Sequence, residues 1–260
     1  IIMIRENTEG LYHSLLRRME QRAIGKKDEP IVIEEFPGLD GEVAWDPRPI
    51  SRDGSERVIR FAFDYAKHRQ RKMGVSQSVT CVDKSNVTRG CQLFRKIFRE
   101  FAERNQDIMV KEAYIDAFTM WLVRNPEDLD VVVLPNMFGD IATDLASVLQ
   151  GGMGMSASAN MGPKHMLFEP VHGSSPKHAG KNVVNPIAMI QSVQMMFEAL
   201  AFRKKDQNLD TCAEILQSAI QKHFEEGGIV TYDLGGTAST SEVGQAIAVR
   251  CESMLKERFP

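Results

Sequence analysis

Asp130-Val131-Val132-Val133-Leu134-Pro135-Asn136-Met137-Phe138-Gly139-Asp140-Ile141-Ala142-Thr143-Asp144-Leu145-Ala146-Ser147-Val148-Leu149-Gln150 opens as a strand and closes as a helix. The apolar run Val131 to Leu134, mostly β-branched, stops at Pro135, the pattern of a short buried strand. Ile141, Leu145 and Leu149 then recur at helical spacing and form one apolar face. Asp140 and Asp144 are one turn apart, so their carboxylates project from the same side of the helix and repel unless a cation lies between them. A divalent metal suits that position, although two acids on a solvated surface helix would show the same spacing.

Upstream, strand-like and helix-like patterns alternate. Ile1 to Ile4 reads as a strand and Arg5 to Tyr12 as the polar loop that follows it. Ile31 to Ile33 and Glu42 to Trp45, separated by Pro37-Gly38-Leu39-Asp40-Gly41, read as a hairpin or arm with little core of its own. Ser55 to Gln70 has helical spacing, Gln77 to Val82 is a strand ending in Asp83-Lys84-Ser85-Asn86, and Leu93, Phe94, Ile97, Phe98 and Phe101 mark an amphipathic helix. Ile108 to Ile115 is a strand that meets a helix over Ala117 to Val123, with Asp116 at the junction. Such alternation predicts an α/β protein. Arg5, Lys84, Asp116 and Asp140 all fall at or just past strand ends, where parallel sheets place their binding sites.

Downstream of Gln150, Gly151 to Gly162 is rich in glycine and small residues and reads as a loop at a domain boundary. A second loop, Glu169 to Asn185, precedes helices over Pro186 to Phe202, Leu209 to Glu225 and Ser239 to Lys256. Pro186 suits a first helical position, and Ser239 with Glu242 has capping-box spacing. Gly152-Met153-Gly154-Met155-Ser156-Ala157 imitates a dinucleotide fingerprint, but a helix precedes it where that fingerprint needs a strand.

The 260 residues carry a formal net charge of −3 and 43% hydrophobic content, a balance suited to a buried core and unsuited to holding nucleic acid or an anionic membrane. The cysteines, Cys81, Cys91, Cys212 and Cys251, are scattered and read as reduced thiols. No apolar stretch is long enough to span a membrane and no targeting segment is visible, so a cytoplasmic or organelle-matrix protein is expected. Because Ile1 stands in a strand already under way, the chain reads as the later part of a longer protein.

Asp116 adds a third carboxylate at a strand end, and three carboxylates from two elements can supply a magnesium or manganese site. Lys84 and Tyr12 sit beside these strand ends, and proton transfer near a metal favours a lysine or tyrosine with a lowered pKa. Each alone would also pass for an ordinary surface or core residue. His172-Gly173-Ser174-Ser175-Pro176-Lys177-His178 offers hydroxyls and positive charge for a phosphate-bearing ligand, or is a plain glycine-containing loop.

Four ordered motifs carry a resemblance: Arg5 to Tyr12, Asp83 to Asn86, Asn136 to Asp140 with Asp144, and Phe168 to Ser174 continuing to Asn185-Pro186. Together the chain resembles the isocitrate and isopropylmalate dehydrogenases over essentially its whole length. That resemblance implies an isopropylmalate dehydrogenase-like two-domain fold, with sheet-centred domains, flanking helices and a dimer arm, and not a Rossmann fold. Residues 1–9 and 57–150 would form the small central domain, 10–56 a clasp-like arm, and 151–260 the C-terminal half of the large cofactor-binding domain. Roughly a hundred residues that precede Arg5 in the family, including those that choose the substrate, are absent.

The implied reaction is oxidation of a 2-hydroxy acid with hydride transfer to a nicotinamide, followed by loss of carbon dioxide. By resemblance Asp116, Asp140 and Asp144 hold Mg2+ or Mn2+, Arg5 grips a substrate carboxylate, and Tyr12 and Lys84 handle protons. Lys84 and Asp116 would reach the site from a neighbouring subunit, making the protein a homodimer. Glu169, His172, Gly173, Ser174, Ser175, Lys177, His178, Val184, Asn185, Tyr232 and Asp233 would line the NAD(P) site. Lys177, His178 and Tyr232 suit a 2′-phosphate, which leans towards NADP, whereas Gly236 stands where many NADP enzymes carry arginine. Asn7 fits isocitrate, homoisocitrate or tartrate enzymes better than most isopropylmalate enzymes. A non-catalytic regulatory paralogue is the reading from another class, and keeping all six polar residues speaks against it.

Overall fold

A computed structural model describes residues 1–12, 32–33, 43–44, 46–74 and 78–258, and the chain divides into two compact units, Ile1–Leu145 and Ala146–Pro260. In the first unit, β1 (Ile2–Arg5), two short strands β2 (Val32–Ile33) and β3 (Val43–Ala44), and helix α1 (Arg52–Met73) come first. There follow β4 (Ser78–Asp83), α2 (Arg89–Arg104), β5 (Met109–Tyr114), α3 (Ile115–Arg124), β6 (Val131–Leu134) and α4 (Asn136–Leu149), which carries the chain into the second unit. β2 and β3 pair antiparallel; the rest of the expected arm, residues 13–31, 34–42 and 45, lies outside the described residues.

The main sheet has the order β1-β6-β4-β5 and every pairing is parallel. Parallel strands covered on both faces are apolar throughout rather than alternating. Accordingly all of Val131 to Leu134 is buried, and β4 is buried from Val79 to Asp83. Ile59, Ala62, Phe63 and Ala66 of α1 and Phe94, Ile97, Phe98 and Phe101 of α2 close one core, in which the Phe63 ring lies 5.6 Å from that of Phe98. Because the strands run the same way, their carboxyl ends share one edge, from which the chain leaves at Arg5, Pro135, Lys84 and Ile115.

α4 corrects the expected helix face. Ile141 and Leu149 are 55% and 45% exposed, whereas Phe138 and Ala142 are buried. Hydrophobic spacing finds an apolar face, but here the buried side is the neighbouring one.

The second unit contains β7 (Ala157–Met161), β8 (Met166–Pro170), α5 (Ile187–Lys204), α6 (Gln207–Glu225) and α7 (Thr240–Arg258). β7 pairs antiparallel with β8, from Ala157 opposite Pro170 to Met161 opposite Met166. A strand therefore stands where the glycine- and small-residue-rich stretch predicts a loop. Ala-Ser-Ala-Asn-Met lacks the β-branched residues that mark a strand in sequence, and it is the ladder to β8 that imposes the extended form. Met155, Ile187, Ala219, Ile220, Val243 and Ile247 form this unit's core. Pro186 is the residue flanking α5, one position before the first helical position expected for it.

The capping box at α7 forms as the spacing predicts. Glu242 Oε2 accepts from the Ser239 backbone N–H at 2.8 Å, and Ser239 Oγ accepts from the Glu242 N–H at 3.3 Å. Ser239→Ala should cost about 1 kcal/mol of stability. Urea unfolding checks this; an unchanged midpoint would show that the box contributes nothing.

Candidate active site at the sheet edge

Arg5, the last residue of β1, reaches across to the start of α4. Its Nε and Nη2 donate to Asn136 Oδ1 at 3.0 and 2.7 Å, and its Nη1 donates to Asp140 Oδ1 at 2.5 Å. The other oxygen of Asp140 accepts from the Tyr12 hydroxyl at 2.5 Å, and the Arg5 guanidinium lies 5.3 Å from the Tyr12 ring centre. Both carboxylate oxygens are thus engaged, one by a cation and one by a phenol. Asp144 is exposed on the next turn of the helix.

Three residues that sequence reasoning left out of the site hold this cluster. Asn136, 2% exposed, accepts the fork of Arg5 and donates to the Glu9 carbonyl at 2.7 Å. Glu6, 3% exposed, accepts from the N–H groups of Thr8 and Glu9 and from the Thr8 hydroxyl, and pairs with Arg57 of α1 at 2.9 Å. That carboxylate folds the loop between Arg5 and Tyr12 back on itself. Glu9 accepts from both the N–H and the hydroxyl of Ser51, which itself caps α1. The available signal was position: Glu6 and Asn136 stand just past strand ends, and polar side chains buried there need partners.

The hydrogen bond from Tyr12 to Asp140 raises the phenol pKa, with burial and the carboxylate charge acting in the same direction. This reverses the lowered value expected for a proton-handling tyrosine, because the partner it finds is an anion. A phenol whose folded value is raised contributes stability below the ordinary tyrosine range, and that contribution is lost as pH rises through the folded value. Asp140→Asn should therefore let one tyrosine ionise earlier, seen as increased phenolate absorbance at pH about 10; superimposable titrations of variant and wild type would contradict the assignment.

The second pair lies across the other half of the edge. Lys84 Nζ stands 2.7 Å from Asp116 Oδ1, and this contact holds the Asp116 carboxyl below its usual range. Among the described residues no group of three acidic, histidine or cysteine side chains gathers as a metal site. Asp116 thus pairs with Lys84 within one chain and does not join Asp140 and Asp144 there.

In the second unit, Asn185 is 7% exposed. Its Nδ2 donates to Asp233 at 3.0 Å, and its Oδ1 accepts from the Ile187 N–H at 3.0 Å. His178 Nδ1 meets the Ser175 hydroxyl at 2.8 Å, its Nε2 faces the Tyr232 hydroxyl at 3.4 Å, and the two rings stack at 6.0 Å. These rings border a shallow pocket with Val183, Thr237 and Ala238. Lys177, Gly173 and Ser174 are exposed, and Val184 is 37% exposed. His172 bonds the adjacent Gly173 carbonyl, and Glu169 accepts from Asn160. At Gly236, a Cβ would stand 2.0 Å from the Val230 carbonyl oxygen, which accepts from the Ala238 N–H. The backbone here excludes any side chain at position 236, an arginine included.

An α/β unit with its ionisable residues at the carboxyl edge of a parallel sheet defines a broad class. Within it, the model of the isocitrate/isopropylmalate dehydrogenase family matches residues 1–247, and the chain belongs to that family. It is 38% identical over 250 residues to a 3-isopropylmalate/3-methylmalate dehydrogenase of Methanocaldococcus jannaschii, covering 96% of this chain and 66% of that protein. It is equally identical, over 257 residues, to a homoisocitrate dehydrogenase of the same organism, covering 98% of this chain and 64% of that protein. A solved structure of isocitrate dehydrogenase from Methylococcus capsulatus superposes with a TM-score of 0.77 at 37% identity, over 95% of this chain and 66% of that one. The chain thus spans slightly less than two thirds of these proteins.

Proposed function

We propose that the protein containing this chain oxidatively decarboxylates a 2-hydroxy acid, isocitrate or a close relative, using NAD(P) and Mg2+ or Mn2+. The observation that carries this reading is the Arg5–Tyr12–Asp140 cluster, a carboxylate, a guanidinium and a phenol brought together at the sheet edge. Asp140 and Asp144, with Asp116 from a second subunit, would hold the cation, since a set of carboxylate oxygens suits a hard divalent ion. When bound, the metal polarises the substrate oxygen and stabilises negative charge developing on it. The nicotinamide supplies the hydride acceptor, and Asn185, Asp233 and the His178–Tyr232 pair would hold its adenosine end, with Lys177 favouring NADP.

Arg5 offers a planar fork that matches a carboxylate bidentately, so its bonds to Asn136 and Asp140 keep it extended over the site before substrate arrives. Lys84, as the neutral amine, takes the hydroxyl proton as the hydroxyl carbon loses hydride. Tyr12 delivers a proton to the carbon that has lost carbon dioxide. Two features support a homodimer: the Lys84–Asp116 pair stands apart from Asp140 within one chain, and Met120, Trp121 and Val123 of α3 are exposed apolar residues, as at a subunit contact. An isopropylmalate-type substrate is the second reading, favoured by the 3-isopropylmalate/3-methylmalate enzyme among the relatives. Kinetics of the full-length protein on isocitrate, homoisocitrate, tartrate and 3-isopropylmalate, each with NAD and NADP, test the choice. Turnover of isopropylmalate far above that of isocitrate would overturn it.

A further inference from the structure

Arg95 of α2 binds Asp83, the residue next to Lys84 in the chain. Its Nε and Nη2 donate to the two oxygens of Asp83, each at 2.9 Å, and Nη2 also donates to the Ala113 carbonyl at 2.8 Å. Asp83 is fully buried and Arg95 is 9% exposed. The guanidinium lies 4.9 Å from the Tyr114 ring centre, and its Nη1 is 3.5 Å from Glu112. The parallel ladder of β4 and β5 ends at Asp83 opposite Tyr114. Lys84 follows the first of these residues directly, and Asp116 comes two positions after the second.

Arg95 therefore ties together the last residues of the two strands where their backbone ladder stops. Asp83 passes the constraint on: its Oδ1 also accepts from the Ser85 N–H at 2.7 Å, which sets the direction of the chain at Lys84. Val87 and Thr88 N–H groups close the turn onto the Lys84 carbonyl at 3.0 Å each. A bidentate guanidinium–carboxylate pair has a fixed plane, which a lysine ammonium cannot reproduce.

We propose that Arg95 is a positioning residue that holds Lys84 in register with Asp116. The consequence for turnover rests on the function proposed above; the placement of Lys84 does not. Arg95→Lys keeps a cation beside the buried Asp83 but loses the fork and the reach to the Ala113 carbonyl.

The test uses the full-length protein with its lysines reductively 13C-methylated, the Lys84 signal being assigned as the resonance missing in Lys84→Arg. In wild type, Asp116→Asn should move the Lys84 resonance. In folded Arg95→Lys the same change should leave it within the linewidth, because the pair is already separated. The kcat of Arg95→Lys should fall roughly 10- to 100-fold, as for other residues that orient a reacting group through one intermediary, with KM for the hydroxy acid changed less than twofold. A folded Arg95→Lys protein in which Asp116→Asn still moves the resonance as in wild type would overturn the proposal. If Arg95→Lys does not fold, Tyr114→Leu decides: loss of the ring over the guanidinium should weaken the same coupling, and an unaltered coupling would overturn it. A protein with no dehydrogenase activity but with the predicted loss of coupling would refute the proposed function and leave this inference standing.

Discussion

Asp140→Asn should lower turnover by more than about 100-fold, beyond the usual loss when only a residue supporting a metal ligand is changed. The substitution keeps the shape of the side chain and removes its charge. In the structure both Asp140 oxygens accept, from Arg5 and from Tyr12. An asparagine has one acceptor oxygen in place of two, so one of those donors faces an amide nitrogen and loses its acceptor, and the proposed hard cation loses a formal negative charge. Stability should change little, because the ion pair is partly exposed, with side-chain exposures of 28% for Arg5 and 43% for Asp140, and such pairs contribute at most about 1 kcal/mol. Binding of Mn2+ to the full-length protein, followed by paramagnetic resonance, should weaken along with turnover. Wild-type affinity and rate in the variant would remove Asp140 from the metal site.

Gly139→Ala should damage substrate binding with no change to any charged group. A Cβ at this position would lie 2.6 Å from Arg5 Cγ, 2.8 Å from its Cβ and 3.1 Å from its Cδ. These are stem atoms next to the β1 backbone, so the arginine cannot simply swing its tip aside. Alanine gains up to about 1 kcal/mol in helix propensity over glycine, whereas overpacking typically costs about 1–3 kcal/mol, so the clash dominates. Relief requires Arg5 to leave Asn136 and Asp140. If the guanidinium is what grips the substrate carboxylate, KM should rise roughly 10- to 100-fold, the worth of one charge-assisted hydrogen bond. A folded variant with unchanged KM would show that Arg5 does not bind the substrate.

The α/β sheet was legible in the sequence because strand-like and helix-like patterns alternate, and the continuous apolar run Val131 to Leu134 followed by a helix is hard to read any other way. The positions of Arg5, Lys84, Asp116 and Asp140 followed from the same reading, since strand ends can be counted. What Asp140 does there was less legible. Spacing suggested a cation near these carboxylates but could not report that Arg5 and Tyr12 sit on Asp140, which raises the Tyr12 pKa where a lowered one was expected. The residues that hold the site in place were missed for a physical reason: Arg95 acts across twelve positions on Asp83 and eighteen on Ala113, and no local periodicity reports such bonds. Likewise β7 is strand by virtue of its partner and not by composition. His178 and Tyr232, 54 positions apart, were linked beforehand only through the family resemblance.

The proposed function has oxidation and decarboxylation supported by one carboxylate-rich edge. Its most direct test incubates the full-length protein with isocitrate or its closest accepted relative, NAD or NADP, and Mn2+, and measures reduced cofactor and carbon dioxide together. Equimolar formation of the two, abolished by chelating the metal and restored by adding it back, is predicted. Reduced cofactor without carbon dioxide, or no reduced cofactor with any of these acids, would contradict the account.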